Sequence, residues 1–90
     1  MELECAVEIT NKLGLHARAS QRLSQLANKF RSTITVSKLG EVEEADAKSI
    51  LSLMSLGVPR GQTVRIRVSG EDAEEAMAAV VDLVHNDFYE

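Results

Sequence analysis

The sequence predicts an α+β fold: an open-faced two-layer sandwich in the order β-α-β-β-α-β-α, with a four-stranded, mainly antiparallel sheet and three helices on one face. Three observations carry this reading. ELECAVEI (residues 2–9) and TVRIRVS (63–69) alternate apolar and polar residues with period two, so each strand offers one apolar and one wet face. Other segments repeat apolar residues at three- and four-residue steps, the period of an amphipathic helix. The connections are short, and no linker or internal repeat divides the chain, so residues 1–90 form a single domain.

In the first strand Leu3, Cys5, Val7 and Ile9 point inward while Glu2, Glu4 and Glu8 point to water. Cys5, the only cysteine, reads as a small core residue and excludes an intramolecular disulfide. A helix follows from Ala17 to Phe30, with Ala19, Leu23, Leu26, Ala27 and Phe30 as its apolar stripe. STITVSK (32–38) is β-branched and alternating, Leu39 and Gly40 make a turn, and Glu41 to Ala45 returns as a short partner strand of a hairpin. AKSILSLMSLG (47–57) reads as a short helix ended by Gly57, with Pro59 barring its continuation. In the strand 63–69, Val64, Ile66 and Val68 face inward and Arg65 and Arg67 outward. The last helix opens on Glu71, Asp72, Glu74 and Glu75, carboxylates suited to the positive end of the helix dipole. Ala73, Ala76, Met77, Val80 and Val84 form its buried stripe, and His85 sits at its negative end.

Composition removes several function classes. The formal charge is -4 and the basic residues are interspersed with carboxylates, which disfavours a phosphate backbone as partner. Phe30, Phe88 and Tyr89 are too few for a base-stacking platform, so no nucleic acid is expected. No apolar run reaches spanning length and no signal-peptide pattern opens the chain, so we expect a cytoplasmic protein without membrane insertion. His16 and His85 lie far apart without metal-ligand spacing, and neither a metal nor a cofactor is expected. A domain this small buries only about 60–65% of its unfolded surface, so any chemistry belongs on the surface, shared with a partner. The acidic run from Glu41 to Asp46 reads as a solvated face.

His16, in NKLGLHARAS (11–20), is the first candidate for chemistry. It immediately precedes the first helical turn, whose amides lack intrahelical partners and whose dipole end is positive. A neutral imidazole is favoured there, and a phosphoryl group attached to it would be held by amides. Arg18 adds a countercharge two residues later, and Gly14 lets the backbone turn tightly into position. Residue chemistry alone favours a plain helix-capping or surface histidine. No second ionisable residue is placed by sequence as a base partner, which disfavours hydrolytic catalysis. Ser49 begins the second helix, where serine is commonly a simple cap. Ile50, Leu51, Leu53 and Met54 exceed what one buried stripe of a two-turn helix requires, so some of them face solvent or a partner, with Leu53 assigned to the core.

The string NKLGLHARAS, followed by KSILSLMSLGV and VRIRVSGEDAEEAM, resembles over essentially the whole chain the histidine-containing phosphocarrier family HPr of the bacterial phosphoenolpyruvate-dependent phosphotransferase system. The resemblance implies that His16 accepts a phosphoryl group on a ring nitrogen from the phosphorylated first enzyme of the system and passes it to a downstream acceptor protein. Such a chain is a stoichiometric carrier rather than a self-sufficient enzyme, and a monomer is expected. The amides of Ala17 and Arg18 and the guanidinium of Arg18 would steady the group. Ser49 would correspond to the serine that a regulatory kinase modifies in some bacteria, adding roughly two negative charges to a docking surface. Ile50, Leu51 and Met54 would form the apolar patch that partners use, with Arg18, Ser20 and Gln21 around it. One departure stands inside the motif: the family usually has HARPA, whereas this chain has HARAS, with Ala19 in place of the proline that prearranges the helix start. The rival reading is a regulatory binding module of the same family that transfers nothing onward, and a remoter one is an adaptor without phosphoryl chemistry. The resemblance leaves the sugar and nitrogen-related branches both open.

Overall fold

A computed structural model describes all residues 1–90. Strand β1 (Glu2–Glu8) lies at one edge of the sheet, and β4 (Thr63–Ser69) pairs with it, in register Cys5 to Ile66 and Val7 to Val64. On its other side β4 pairs with β2 (Thr33–Lys38), setting Val36 against Ile66 and Ile34 against Val68. Strand β3 (Ala45–Asp46) closes the order β1-β4-β2-β3, and every pairing is antiparallel. The alternation read from the sequence becomes a division of faces. Val7, Ile34, Val36, Val64, Ile66 and Val68 are buried, whereas Glu2, Glu4 and Glu8 lie in water. Arg67 is gathered on that wet face by Glu44 at 2.9 Å, Glu4 at 3.5 Å and Glu2 at 3.6 Å.

Helices α1 (Ala17–Ala27), α2 (Ile50–Leu56) and α3 (Ala73–His85) cover the apolar face and join it in one continuous core. Gly57 takes a left-handed conformation that ends α2, as the sequence predicts. Helix α1 stops at Ala27 instead of reaching Phe30. Asn28 donates its side-chain amide to the Ser24 and Lys48 carbonyls and turns the chain, leaving Phe30 half-buried against the core. Its buried face is also more polar than its pattern suggested: Leu26 is only partly covered, while Ser20 and Ser24 are buried, with Ser24 Oγ donating to the Lys48 carbonyl at 2.9 Å.

The hairpin partner is shorter than expected. Residues 41–44 form no ladder, because three of the four are glutamates that keep their charge in water and Val42 is 96% exposed. Cys5 is half-buried rather than core, a consequence of β1 being an edge strand. In α3, Leu83 is buried and Met77 only partly so. Asp72 stands at the start of α3 but does not cap it. Its carboxylate reaches back to accept from the Ser32 hydroxyl and from the Arg31 and Ser32 amides at 2.8 and 2.9 Å. The Ser32 hydroxyl first, then the Arg31 amide, hold this carboxyl below the usual carboxylate range.

Two loops are locked together beside the start of α1. Ile9 N–H donates to the Gln62 carbonyl, Gly61 N–H to the Ile9 carbonyl, and Leu15 N–H to the Val58 carbonyl at 3.0 Å. Gly14, at φ +64°, lies so close that a Cβ there would run into the Val58 carbonyl oxygen. With Leu15 buried next to it, the backbone position of His16 is fixed from below.

Candidate functional site

His16 is the capping residue of α1, with extended backbone (φ -73°, ψ -176°), and its ring makes no capping hydrogen bond. Ser20 N–H to the His16 carbonyl, at 2.9 Å, is the first rung of the helix. The amides of Ala17, Arg18 and Ala19 therefore have no intrahelical partner and surround the positive end of the helix dipole. Helix α1 forms at Ala17 although Ala19 stands where the related pattern has proline, since the residue-19 amide lies in the first turn, ahead of any helical hydrogen bond. Arg18 is exposed and takes part in none of the chain's ion pairs, so its guanidinium is available to an arriving anion. Lys12, His16, Ala17, Arg18, Asp87 and Glu90 share the same open cleft.

Both ring nitrogens of His16 are engaged. Nδ1 lies 3.0 Å from the Gly14 carbonyl oxygen, and Nε2 lies 2.8 Å from Glu90 Oε2. The sequence placed no ionisable partner for His16, and the structure supplies one in Glu90. The ring and the carboxylate are largely shielded, with side chains 27% and 19% exposed. Asn11, also missed, links the two sides by donating Nδ2 to the Gly14 carbonyl at 2.7 Å and to Glu90 Oε1 at 3.1 Å. Asn11 and Glu90 are 79 positions apart, and no local pattern announces such a contact.

Glu90 is brought there by a left-handed 3-10 turn over Asp87–Tyr89, with φ of 51°, 58° and 59° at three successive non-glycine residues. Such backbone costs roughly 1–2 kcal/mol per residue and persists only when its surroundings over-determine it. They do so here. Phe88 is fully buried, Arg22 Nη1 donates to the Phe88 and Tyr89 carbonyls at 2.6 Å each, and Thr10 Oγ1 donates to Asp87.

The other candidates divide. Ser49 caps α2, its Oγ accepting from the Ser52 amide at 3.2 Å. Ile50, Leu51 and Met54 are 39%, 77% and 43% exposed, whereas Leu53 is buried, so α2 shows apolar surface to solvent. Gln21 is exposed. Ser20 is not: it is fully buried and its hydroxyl donates to the Leu15 carbonyl at 3.0 Å, which makes it an internal anchor of the helix start rather than a docking side chain. His85 is exposed at the end of α3 and is not among the residues that line the cleft around His16. No group of three or more histidine, cysteine, aspartate or glutamate side chains is arranged to hold a metal ion.

Comparison with known proteins agrees with this geometry. The family PTS-HPr, described as "PTS HPr component phosphorylation site", matches residues 3–86. The phosphocarrier protein HPr of Xylella fastidiosa is 46% identical over 88 residues, covering 98% of this chain and 97% of its own length. The phosphocarrier protein NPr of Escherichia coli is 37% identical over 90 residues, covering 100% and 99%. Among solved structures, HPr-C-His from Thermoanaerobacter tengcongensis superposes with a TM-score of 0.91 at 45% identity, covering 98% and 97%. The chain belongs to the HPr family of phosphocarrier proteins of the phosphotransferase system.

Proposed function

We propose that this chain carries a phosphoryl group on the imidazole of His16, taking it from the phosphorylated first enzyme of the phosphoenolpyruvate-dependent system and giving it to a downstream acceptor protein. The observation that carries the reading is the position of His16 as capping residue of α1, with unpartnered first-turn amides and the free Arg18 guanidinium in one cleft. The Ala17 and Arg18 amides and the Arg18 side chain are the groups that steady the phosphoryl oxygens. The cleft is open to solvent, so the partner must supply the walls that exclude water during transfer.

Ile50, Leu51 and Met54, together with the exposed Arg18 and Gln21, serve as the docking surface, because a methionine and two exposed aliphatics repack against different partners. Ser49 opens the same helix, so a phosphate added there by a serine kinase puts about two negative charges beside that patch and weakens docking. No helix is long and apolar enough to cross a membrane, which is compatible with the cytoplasmic setting proposed for the exchange.

The test is single-turnover transfer from a phosphorylated first enzyme to the purified chain and then to an acceptor, alongside His16→Ala. The expected result is passage of phosphoryl through the chain and none through His16→Ala, with docking of the variant to the first enzyme retained. Labelling without onward transfer to any acceptor would support the regulatory-module reading instead.

A further inference from the structure

A second groove, of about 310 Å³, runs between α1 and α3 and shares no lining residue with the His16 cleft. Arg22, Leu26 and Lys29 line it from the α1 side, at the spacing of one helical face, and Ala79 and Leu83 line it from α3. Its volume lies at the low end of small-molecule sites, roughly 300–1,000 Å³, and suits one ring with a short substituent. Tyr89 also lines it. The Tyr89 ring is 61% exposed yet tied down twice: Arg22 Nη1 donates to its carbonyl at 2.6 Å, and its hydroxyl donates to Asp82 Oδ2 at 3.1 Å. The hydrogen bond to Asp82 first, then the Asp82 charge, raises the phenol above its ordinary value, so the hydroxyl stays protonated and the tie holds. An exposed aromatic ring held in this way is a preformed stacking wall, since little rotamer freedom is left to lose when a ligand packs on it.

Charge decides what such a ligand must carry. Asp82, the one carboxylate in the groove, is already engaged at both oxygens, by the Tyr89 hydroxyl and by Asn86 Nδ2 at 3.3 Å. Lys29 is exposed and joins no ion pair, and Arg22 gives only Nη1 to the chain, so its Nε and Nη2 are free to donate. The surrounding field has the same sign: from Ile9 to Gly40 the chain carries lysines and arginines and no carboxylate, although the protein as a whole has a charge of -4. We propose that the groove between α1 and α3 binds a small planar aromatic oxyanion, with its ring against Tyr89, Leu26 and Leu83 and its carboxylate or phosphate held by Arg22 and Lys29. The site does not depend on the carrier reading of His16.

The test is titration of the full chain with benzoate, phenyl phosphate and uncharged benzyl alcohol, followed in 1H–15N spectra. The anions are expected to give saturable shifts at the amides of Leu26, Lys29, Leu83 and Tyr89, with a Kd of roughly 1–10 mM, the affinity of one ring in an open groove. Benzyl alcohol should bind about threefold more weakly or worse. Saturation by both anions supports the proposal as it stands, and saturation by one alone supports it and assigns the site to carboxylates or to phosphate esters. Lys29→Gln should weaken the anions about threefold and leave benzyl alcohol unchanged. Ala79→Met, which fills the groove from a half-buried position with a good helix former, should abolish the shifts while the urea midpoint is kept. Four results overturn the proposal: no saturable shift with either anion, shifts confined to Ala17 and Arg18 in the His16 cleft, benzyl alcohol binding as tightly as the anions, or binding indifferent to either variant.

Discussion

Replacing Gly14 with alanine tests how the fold holds His16 in place. At φ +64° an alanine pays the left-handed penalty of about 1–2 kcal/mol. Its Cβ would also meet the Val58 carbonyl oxygen and the Pro59 backbone, neither of which is a flexible side-chain end, so the two loops must part. Parting them breaks the Leu15 N–H to Val58 hydrogen bond, and leaving that amide unpaired beside a buried leucine costs about 1–3 kcal/mol more. The sum is about 2–5 kcal/mol, or a Tm lowered by roughly 10–30 °C in a domain of this size. Gly57→Ala supplies the control. Gly57 has φ +66°, but nothing lies within 4 Å of where its Cβ would stand, so it should suffer the backbone penalty alone. Urea unfolding followed by circular dichroism gives both values. If Gly14→Ala is within about 0.5 kcal/mol of Gly57→Ala, the loops do not clamp the backbone below His16 and the reasoning fails.

Other substitutions separate stability from transfer. Ser49→Ala should lower stability by about 0.5–2 kcal/mol through loss of the cap on α2 while leaving single-turnover transfer unchanged; Ser49→Asp, which still caps, should keep stability and raise the half-saturating first-enzyme concentration. Leu51→Glu should change stability by less than about 0.5 kcal/mol, since the side chain is 77% exposed, yet weaken docking several-fold in the same assay. Asp72 gives a pH signature. Its carboxyl is held below the usual range, by the Ser32 hydroxyl first, so the unfolded chain binds the extra proton and the stabilisation is complete above an ordinary aspartate value of about 3.9. It is lost as pH falls through the lower folded value. Urea midpoints measured from pH 6 to pH 2 should therefore decline less steeply below about pH 4 in Asp72→Asn than in the parent chain.

Much of the architecture was legible because period-two and helical patterns report burial directly: β1, β4 and the capped α2 stand where the residues placed them. The errors fell where local pattern and tertiary demand disagree. Phe30 continues the helical period, but Asn28 terminates α1 by bonding to Lys48, a residue 20 positions away. Ser20 and Ser24 look like surface residues, yet their hydroxyls find carbonyl partners and can be buried without an unsatisfied group. The strand expected over 41–45 has one exposed valine and too many carboxylates to pack, leaving only Ala45 and Asp46 to pair. At the candidate site, His16, Ala17 and Arg18 could be singled out from sequence because they are adjacent and sit at a recognisable helix start. Glu90 and Asn11 were invisible, because the left-handed turn that delivers Glu90 contains no glycine to announce it and is held by Arg22, some 66 positions away.

The most direct measurement of the central claim is intact mass after incubation of the chain with phosphoenolpyruvate and the first enzyme, for the parent and His16→Ala, before and after acid. The account predicts a single phosphoryl adduct on the parent chain that is lost in acid, as a nitrogen–phosphorus bond is, and no adduct on His16→Ala. An acid-stable adduct, an adduct that persists in the variant, or none on the parent while a known carrier is labelled in parallel would contradict it.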